Sequence, residues 1–303
     1  MINPQRHQQE VRKFYKYASP ETALAILRSR CFRFSSPLRF NDPFDIQSGL
    51  HFDFDIASLP SKILNRFEEI VYAEAEPGVD PEDVWGQVVL LARSKVRIHG
   101  FPMQMLKDFA TPLLSGYVDE IRRVQQSYRE HWAMLLPDIR VFCVSEDRDN
   151  LLMWAHYARD HTGVMFELLS LPEEDNVLSV AKPIMYAENP PSFFTEDQWI
   201  EDWLSIDKLD VDQLSRRYAY VKSNHWSYEK EWRVWFPLAP VSGDLWYDCP
   251  IRDSEFSAVY IGCCAEQSFV NEVAELTPHA FPSARLYKAS KVEGRYGLKY
   301  TEI

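Results

Sequence analysis

Glycine is the residue whose scarcity most restricts this chain: there are 10 in 303 positions. No G-x-G occurs, so the glycine fingerprint of dinucleotide-binding α/β folds is absent, and so is the G-x-x-x-x-G-K-S/T phosphate loop. The glycine-rich loop of protein kinases is excluded for the same reason. Any nucleotide held by such a chain must be gripped by side chains.

Those side chains are unusually aromatic, with Trp 9, Tyr 15 and Phe 18. Lys+Arg 33 against Asp+Glu 45 leaves a net charge of −12. Such a chain repels nucleic acid at long range, so any contact with it would need a local basic groove. The five cysteines (Cys31, Cys143, Cys249, Cys263, Cys264) are odd in number and contain no C-x-x-C. Cys263 and Cys264 are neighbours, a poor geometry for a bridge, so reduced thiols in a cytosol are the expectation. The polar start, MINPQRHQQEVRK, lacks the apolar core of a secretory signal. No run approaches the length of a membrane span. Cytoplasmic placement without membrane contact follows as an expectation.

Periodicity predicts strand, helix and strand over the first 55 residues. Phe14–Tyr17 is strand-like; Ser19-Pro20 opens a helix with Ala23, Ile26 and Leu27 on one face; Cys31–Phe34 is the second strand. Ser35-Ser36-Pro37 and Asn41-Asp42-Pro43 are turn chemistry. From Ser58 to Leu136 the spacing turns helical, with Gly100-Phe101-Pro102 as a separator and a break at Pro112. Strands return at 139–145, 163–168, 231–238 and 256–261, with 177–186 extended. Helices are predicted over 151–158, 196–220 and 266–276, and two short strands around Gly294 and Gly297 close the chain. The class is α+β. A single domain over 1–303 is expected, with its core in 11–55 and 139–303 and a helical insertion at 56–138.

Several chemistries are missing. There is no H-E-x-x-H, and His156 and His161 are five apart, so no metal site is expected. No G-x-S-x-G elbow occurs. No Asp/Glu-x-Lys triplet of a metal-dependent nuclease occurs either.

Three constellations carry chemistry. In Glu229-Lys230-Glu231-Trp232-Arg233, strand alternation turns Glu229, Glu231 and Arg233 to one face and Lys230 and Trp232 to the other. Two carboxylates and a guanidinium on one face suit either an active site or an ion-pair ladder. Ser145 ends a strand before a polar loop in which Asp149 or Asn150 can cap a helix carrying Met153, Trp154 and Tyr157. Tyr15-Lys16-Tyr17 and the stretch from Arg39 to Asp45 join a strand to a turn-rich loop; Asn41 and Asp42 are suited to hold that loop.

The motifs FNDPFD, MWAHY and YEKEWR, with YKYASPETALAIL before them, resemble the bacterial domain-of-unknown-function family numbered 2971. That resemblance spans Phe14–Asp45 and Ile139–Ile261 and implies no activity by itself. The order of parts is also similar to ADP-ribosyltransferases, particularly toxins that modify DNA. This second resemblance implies a mixed or antiparallel split sheet with the helical insertion added. It puts Lys16 where those enzymes carry His or Arg, Ser145 on the central strand and Glu231 at the catalytic acid, with Glu229 two residues earlier. It also implies NAD as substrate, without a metal. Glu231 and Glu229 are then the catalytic candidates, and Lys16, Tyr17, Arg39, Asn41, Ser145, Trp154, Tyr157 and Arg233 the dinucleotide-binding ones. Tyr17, Trp154 or Tyr157 would stack on nicotinamide, and Lys16, Arg39 or Arg233 would hold the pyrophosphate. The acceptor would be nucleic acid or protein, in a toxin or phage-defence setting. The alternatives are a catalytically silent nucleotide- or protein-binding domain and a metal-independent carboxylate hydrolase.

Overall fold

The computed structural model describes residues 12–99, 102, 104, 107, 108, 111, 112, 114, 116–237 and 243–303. The polar start before Arg12, the separator at Gly100-Phe101 and the end of the 231–238 strand lie outside them. The chain forms two compact units. One holds the described residues up to Gln47, Leu136–Glu188 and Lys222–Ile303; the other holds Ser48–Leu135 and Asn189–Val221. Most of the expected 56–138 insertion falls in the second unit, which also takes up 189–221.

The first unit is a mixed open sheet with helices, in keeping with the α+β class. Its strands are β1 (Arg12–Ala18), β2 (Cys31–Ser35), β3 (Ile139–Ser145), β4 (Val164–Ser170), β5 (Lys182–Pro183), β6 (Met185–Ala187), β7 (Val221–Ser223), β8 (Glu231–Pro237), β9 (Trp246–Pro250), β10 (Phe256–Ile261), β11 (Arg285–Lys291) and β12 (Leu298–Glu302). The order across the sheet is β12-β11-β10-β4-β1-β3-β2-β9, with β8 laddered to β3 and to β5. Only β10 and β11 run parallel among the described pairs, joined through the helix Gln267–Ala280. Strand β9, which no alternation in WYDCP signalled, pairs along all of β2.

Alternation along the strands gives the sheet two different faces. Phe14, Phe32, Phe34, Phe142, Val144, Phe166 and Val234 share one apolar core with Ile26 and Leu27 of the helix Pro20–Ser29 and with Val270 and Val273. Ser19 caps that first helix by accepting from Thr22 N–H, as its sequence predicts. On the opposite face Tyr15, Tyr17, Met165 and Tyr260 pack under Met153 and Trp154 of the helix Leu151–Tyr157. Asn150 is the residue that caps this helix. A left-handed turn then brings the chain back: Arg159, Asp160 and His161 have φ of 42°, 54° and 65°. Gly163 follows because a β-carbon there would stand 2.1 Å from the Ala18 carbonyl oxygen.

The second unit is built on the helices Leu59–Tyr72, Val84–His99, Tyr117–Leu135, Glu196–Trp203 and Val211–Ala219. Ile63, Phe67 and Ile70 line the inner face of the first, and Phe193, Phe194, Trp199 and Tyr218 form an aromatic cluster. The single helix expected over 196–220 is two. Ser205 takes a left-handed φ of 60° after the first, and Asp210 caps the second by accepting from Gln213 N–H.

Candidate functional site

The site lies where the sheet of the first unit opens. Strand β3 ladders with β8 along its whole length, from Ile139↔Pro237 to Ser145↔Glu231. Its other edge meets β1 only at Tyr15↔Ser145 and β2 only at Ser35↔Val141. Between those two points the backbone carbonyl of Cys143 accepts a 2.8 Å hydrogen bond from Lys16 Nζ. Lys16 has the parity of the apolar face, and its ammonium lies 5.1 Å from the Phe142 ring centroid.

On that other face β2, β3 and β8 present Arg33, Ser35, Cys143, Ser145, Glu231 and Arg233, so the face changes from aromatic to polar along the sheet. These residues, with Lys16, Arg39, Phe40, Asn41, Asp45, His156, Tyr157, Lys222 and Glu229, line a hollow of about 440 Å³. That volume is in the range of small-molecule sites, roughly 300–1,000 Å³.

Five charged side chains make its floor. Arg233, fully buried, donates through Nε to Glu231 Oε1 at 2.5 Å and through Nη1 to Asp45 Oδ1 at 2.9 Å, and a further bond reaches the second Asp45 oxygen. Lys222 Nζ lies 2.5 Å from Glu229 Oε2, 2.9 Å from Glu231 Oε2 and 3.7 Å from Asp45 Oδ2. Tyr157 donates its hydroxyl to the other oxygen of Glu229. The backbone holds these groups in place. Glu229 closes the short 3-10 turn Asn224–Glu229, and Ser145 Oγ ties that turn to β3 through the Glu229 carbonyl at 2.6 Å. Lys230 then takes a left-handed φ of 45° and stays exposed, while Tyr186 hydroxyl accepts from the Glu231 N–H at 2.8 Å.

The two glutamates sit in opposite electrostatic settings. Burial pushes the Glu231 carboxyl up, but Arg233 and Lys222 outweigh it and hold the group well below the usual glutamate range. Burial, reinforced by the negative charge of Glu231, raises Glu229 in spite of Lys222. Burial lowers Lys222, and the three carboxylates more than reverse it, so the lysine stays an ammonium ion. The Tyr157 hydroxyl is raised by burial and then by Glu229, which leaves it a neutral donor. Burial likewise raises Asp45 in spite of Arg233. With every group ionised, three carboxylates face two cations, and one proton on Glu229 or Asp45 brings the floor to neutral. The wall is positive: among the described residues, Lys16 and Arg39 make no ion pair, and Arg39 lies 4.9 Å from the Trp246 ring centroid. Arg33 is also on the wall but is paired with Asp248.

Of the expected site residues, Glu229, Glu231, Lys16, Tyr17, Arg39, Asn41, Ser145, Tyr157 and Arg233 line the hollow. Trp154 does not. It is 0 % exposed, because it is on the inner face of its helix and packs edge-on against Tyr17 at 5.4 Å. Arg233 lines the hollow with its guanidinium already bonded to Asp45 and Glu231, which removes it as a pyrophosphate clamp. Tyr17 spends its hydroxyl on the carbonyls of Asp147 and Arg148, so only its ring is offered. Ser145 is a structural tie beside the hollow. Asp45 and Lys222 were missed as site residues. FNDPFD reads as turn chemistry, but Asp42 does that work by accepting from Phe44 N–H, and Asp45 is left to turn inward. No local pattern marks Lys222. Among the described residues no group of three or more His, Cys, Asp or Glu is arranged to hold a metal ion. None of their helices is long and apolar enough to cross a membrane.

The family model described as protein of unknown function (DUF2971) matches residues 153–234. The matched stretch carries Tyr157, Lys222, Glu229, Glu231 and Arg233, which is to say most of the floor. No curated protein and no solved structure matches the chain.

Proposed function

We propose that the hollow binds an NAD-like dinucleotide and that the protein transfers ADP-ribose from it, in the manner of an ADP-ribosyltransferase. The observation that carries this reading is the polarity of the hollow: a carboxylate-rich floor at Glu229 and Glu231 under a wall bearing Lys16 and Arg39. NAD has the complementary polarity, with a cationic nicotinamide ring at one end and an anionic pyrophosphate beyond it. Lys16 and Arg39 are suited to the phosphates, and Tyr157, Tyr15 and Phe40 offer flat faces to the ring.

Breaking the bond between nicotinamide and ribose builds positive charge at the anomeric carbon, as in glycoside hydrolysis. Glu231, held ionised by Arg233 and Lys222, supplies a fixed negative charge for it. Glu229, whose proton affinity is raised, is the group able to exchange a proton with the acceptor, with Tyr157 holding its orientation. A toxin or phage-defence role, with nucleic acid or protein as acceptor, belongs to this reading. The test is calorimetry with NAD, ADP-ribose and nicotinamide: NAD should bind more tightly than either fragment, and absence of NAD binding would remove the proposal. The saturation of Glu231 by two cations favours a second reading, a binding domain without turnover; on that reading NAD binds but releases no nicotinamide.

A further inference from the structure

The loop after β10 carries Gly262, Cys263 and Cys264 ahead of the helix Gln267–Ala280. Its backbone is tied down. Gly262 N–H donates to the Gly163 carbonyl at 2.8 Å, Cys264 N–H to the His161 carbonyl at 3.0 Å, and Ala265 N–H to the Gly262 carbonyl at 3.1 Å. Lys288 Nζ also bonds the Gly262 carbonyl. A β-carbon at 262 would stand 2.1 Å from the His161 carbonyl oxygen, so the loop and the turn beneath it touch backbone to backbone. On this frame the two sulfurs lie 3.8 Å apart, with Cys264 exposed and Cys263 half-buried.

Neighbouring α-carbons are ~3.8 Å apart across a trans peptide, short of the roughly 4.4–6.8 Å that disulfides span. A direct sulfur–sulfur bond between these neighbours is therefore strained, and the pair persists as two thiols. One larger, thiophilic atom placed between the sulfurs closes a ring with one more member and less strain. The atom must be content with two protein donors. A structural zinc ion takes four, and among the described residues no third His, Cys, Asp or Glu completes such a set. Trivalent arsenic bearing one organic group needs two sulfurs and no more.

We propose that Cys263 and Cys264 form a chelating site for trivalent arsenicals, separate from the hollow and independent of its function. With an arsenoxide, two arsenic–sulfur bonds form as the arsenic–oxygen bonds break. The two thiol protons leave with that oxygen as water, and arsenic stays trivalent, so no oxidant or reductant is consumed. Lys288 and the backbone bonds serve to hold both sulfurs on one side before the ligand arrives.

The test is intact-mass measurement of the full chain after phenylarsine oxide and desalting. Wild type should retain one equivalent, released by excess 2,3-dimercaptopropanol. Cys263→Ser and Cys264→Ser should each lose the adduct, and a Cys31→Ser/Cys249→Ser double variant should keep it. Retention by either single variant, no retention by wild type, or loss in the double variant would each overturn the proposal. Cys264 is exposed and Cys31, Cys249 and Cys263 are half-buried, and circular dichroism of each variant against wild type separates loss of the site from loss of the fold.

Discussion

Asp45 and Arg233, 188 positions apart, meet in a two-pronged buried ion pair that pins the FNDPFD loop to the middle of β8. Arg233 holds Glu231 by the same guanidinium, so one side chain fixes both the rim of the hollow and its central acid. Asp45→Ala would leave a buried guanidinium short of a partner. A loss of about 3–5 kcal/mol is expected for breaking such a pair. Urea unfolding followed by tryptophan fluorescence measures it, and Asp45→Asn, which keeps a hydrogen-bond acceptor, should lose less.

The opposed settings of Glu229 and Glu231 give a signed pH dependence. Glu231, lowered in the fold, adds stability that is present above the ordinary glutamate value of 4.5 and is lost as pH falls below it. Glu229, raised in the fold, adds stability that is present below 4.5 and is lost as pH rises through its folded value. Urea midpoints from about pH 2 to about pH 8 should therefore fall less steeply on the alkaline side in Glu229→Gln than in wild type. In Glu231→Gln the acid-side loss should shrink instead. Profiles that respond identically to both substitutions would contradict the division.

On the proposed function Lys16 and Arg39 hold the ligand, and Lys16 also bonds the Cys143 carbonyl. Lys16→Ala and Arg39→Ala should each weaken NAD binding by about tenfold or more, on the order of 1.4 kcal/mol. Neither should shift the urea midpoint as Asp45→Ala does. Calorimetry and unfolding on the same preparations read both effects.

Trp154 supplies the contrasting case. It is buried beneath the helix Leu151–Tyr157, so Trp154→Ala should cost about 3–5 kcal/mol of stability. Trp154→Phe should bind NAD as wild type does. A loss of NAD affinity in Trp154→Phe without a loss of stability would return Trp154 to the site.

These contrasts trace what was legible in the residues. Strand period placed Glu229, Glu231 and Arg233 on one face and Lys230 and Trp232 on the other, and the burial follows it, although Glu229 precedes the strand in a 3-10 turn. The cap Ser19 was readable because capping is local chemistry, and the second cap was narrowed to Asp149 or Asn150, of which the structure uses Asn150. Trp154 was misread because spacing alone does not say which side of a seven-residue helix meets the sheet: Trp154 turns fully inward, and Met153, His156 and Tyr157 reach the hollow. Asp45 was invisible as a site residue because its partner Arg233 lies 188 positions on; Lys222 precedes Glu229 and Glu231 closely, but the 3-10 turn Asn224–Glu229 that folds it back onto them carries no pattern that marks it. The left-handed run Arg159-Asp160-His161 carries no glycine to announce it and is held by backbone bonds such as His161 N–H to the Trp154 carbonyl at 3.2 Å.

The most direct measurement is nicotinamide release from NAD by the purified protein and by Glu231→Gln. The account expects release by wild type and, with NAD affinity kept, a fall of about a hundredfold or more in the variant. Equal release by the two proteins, or none by wild type under conditions where NAD is bound, would contradict it.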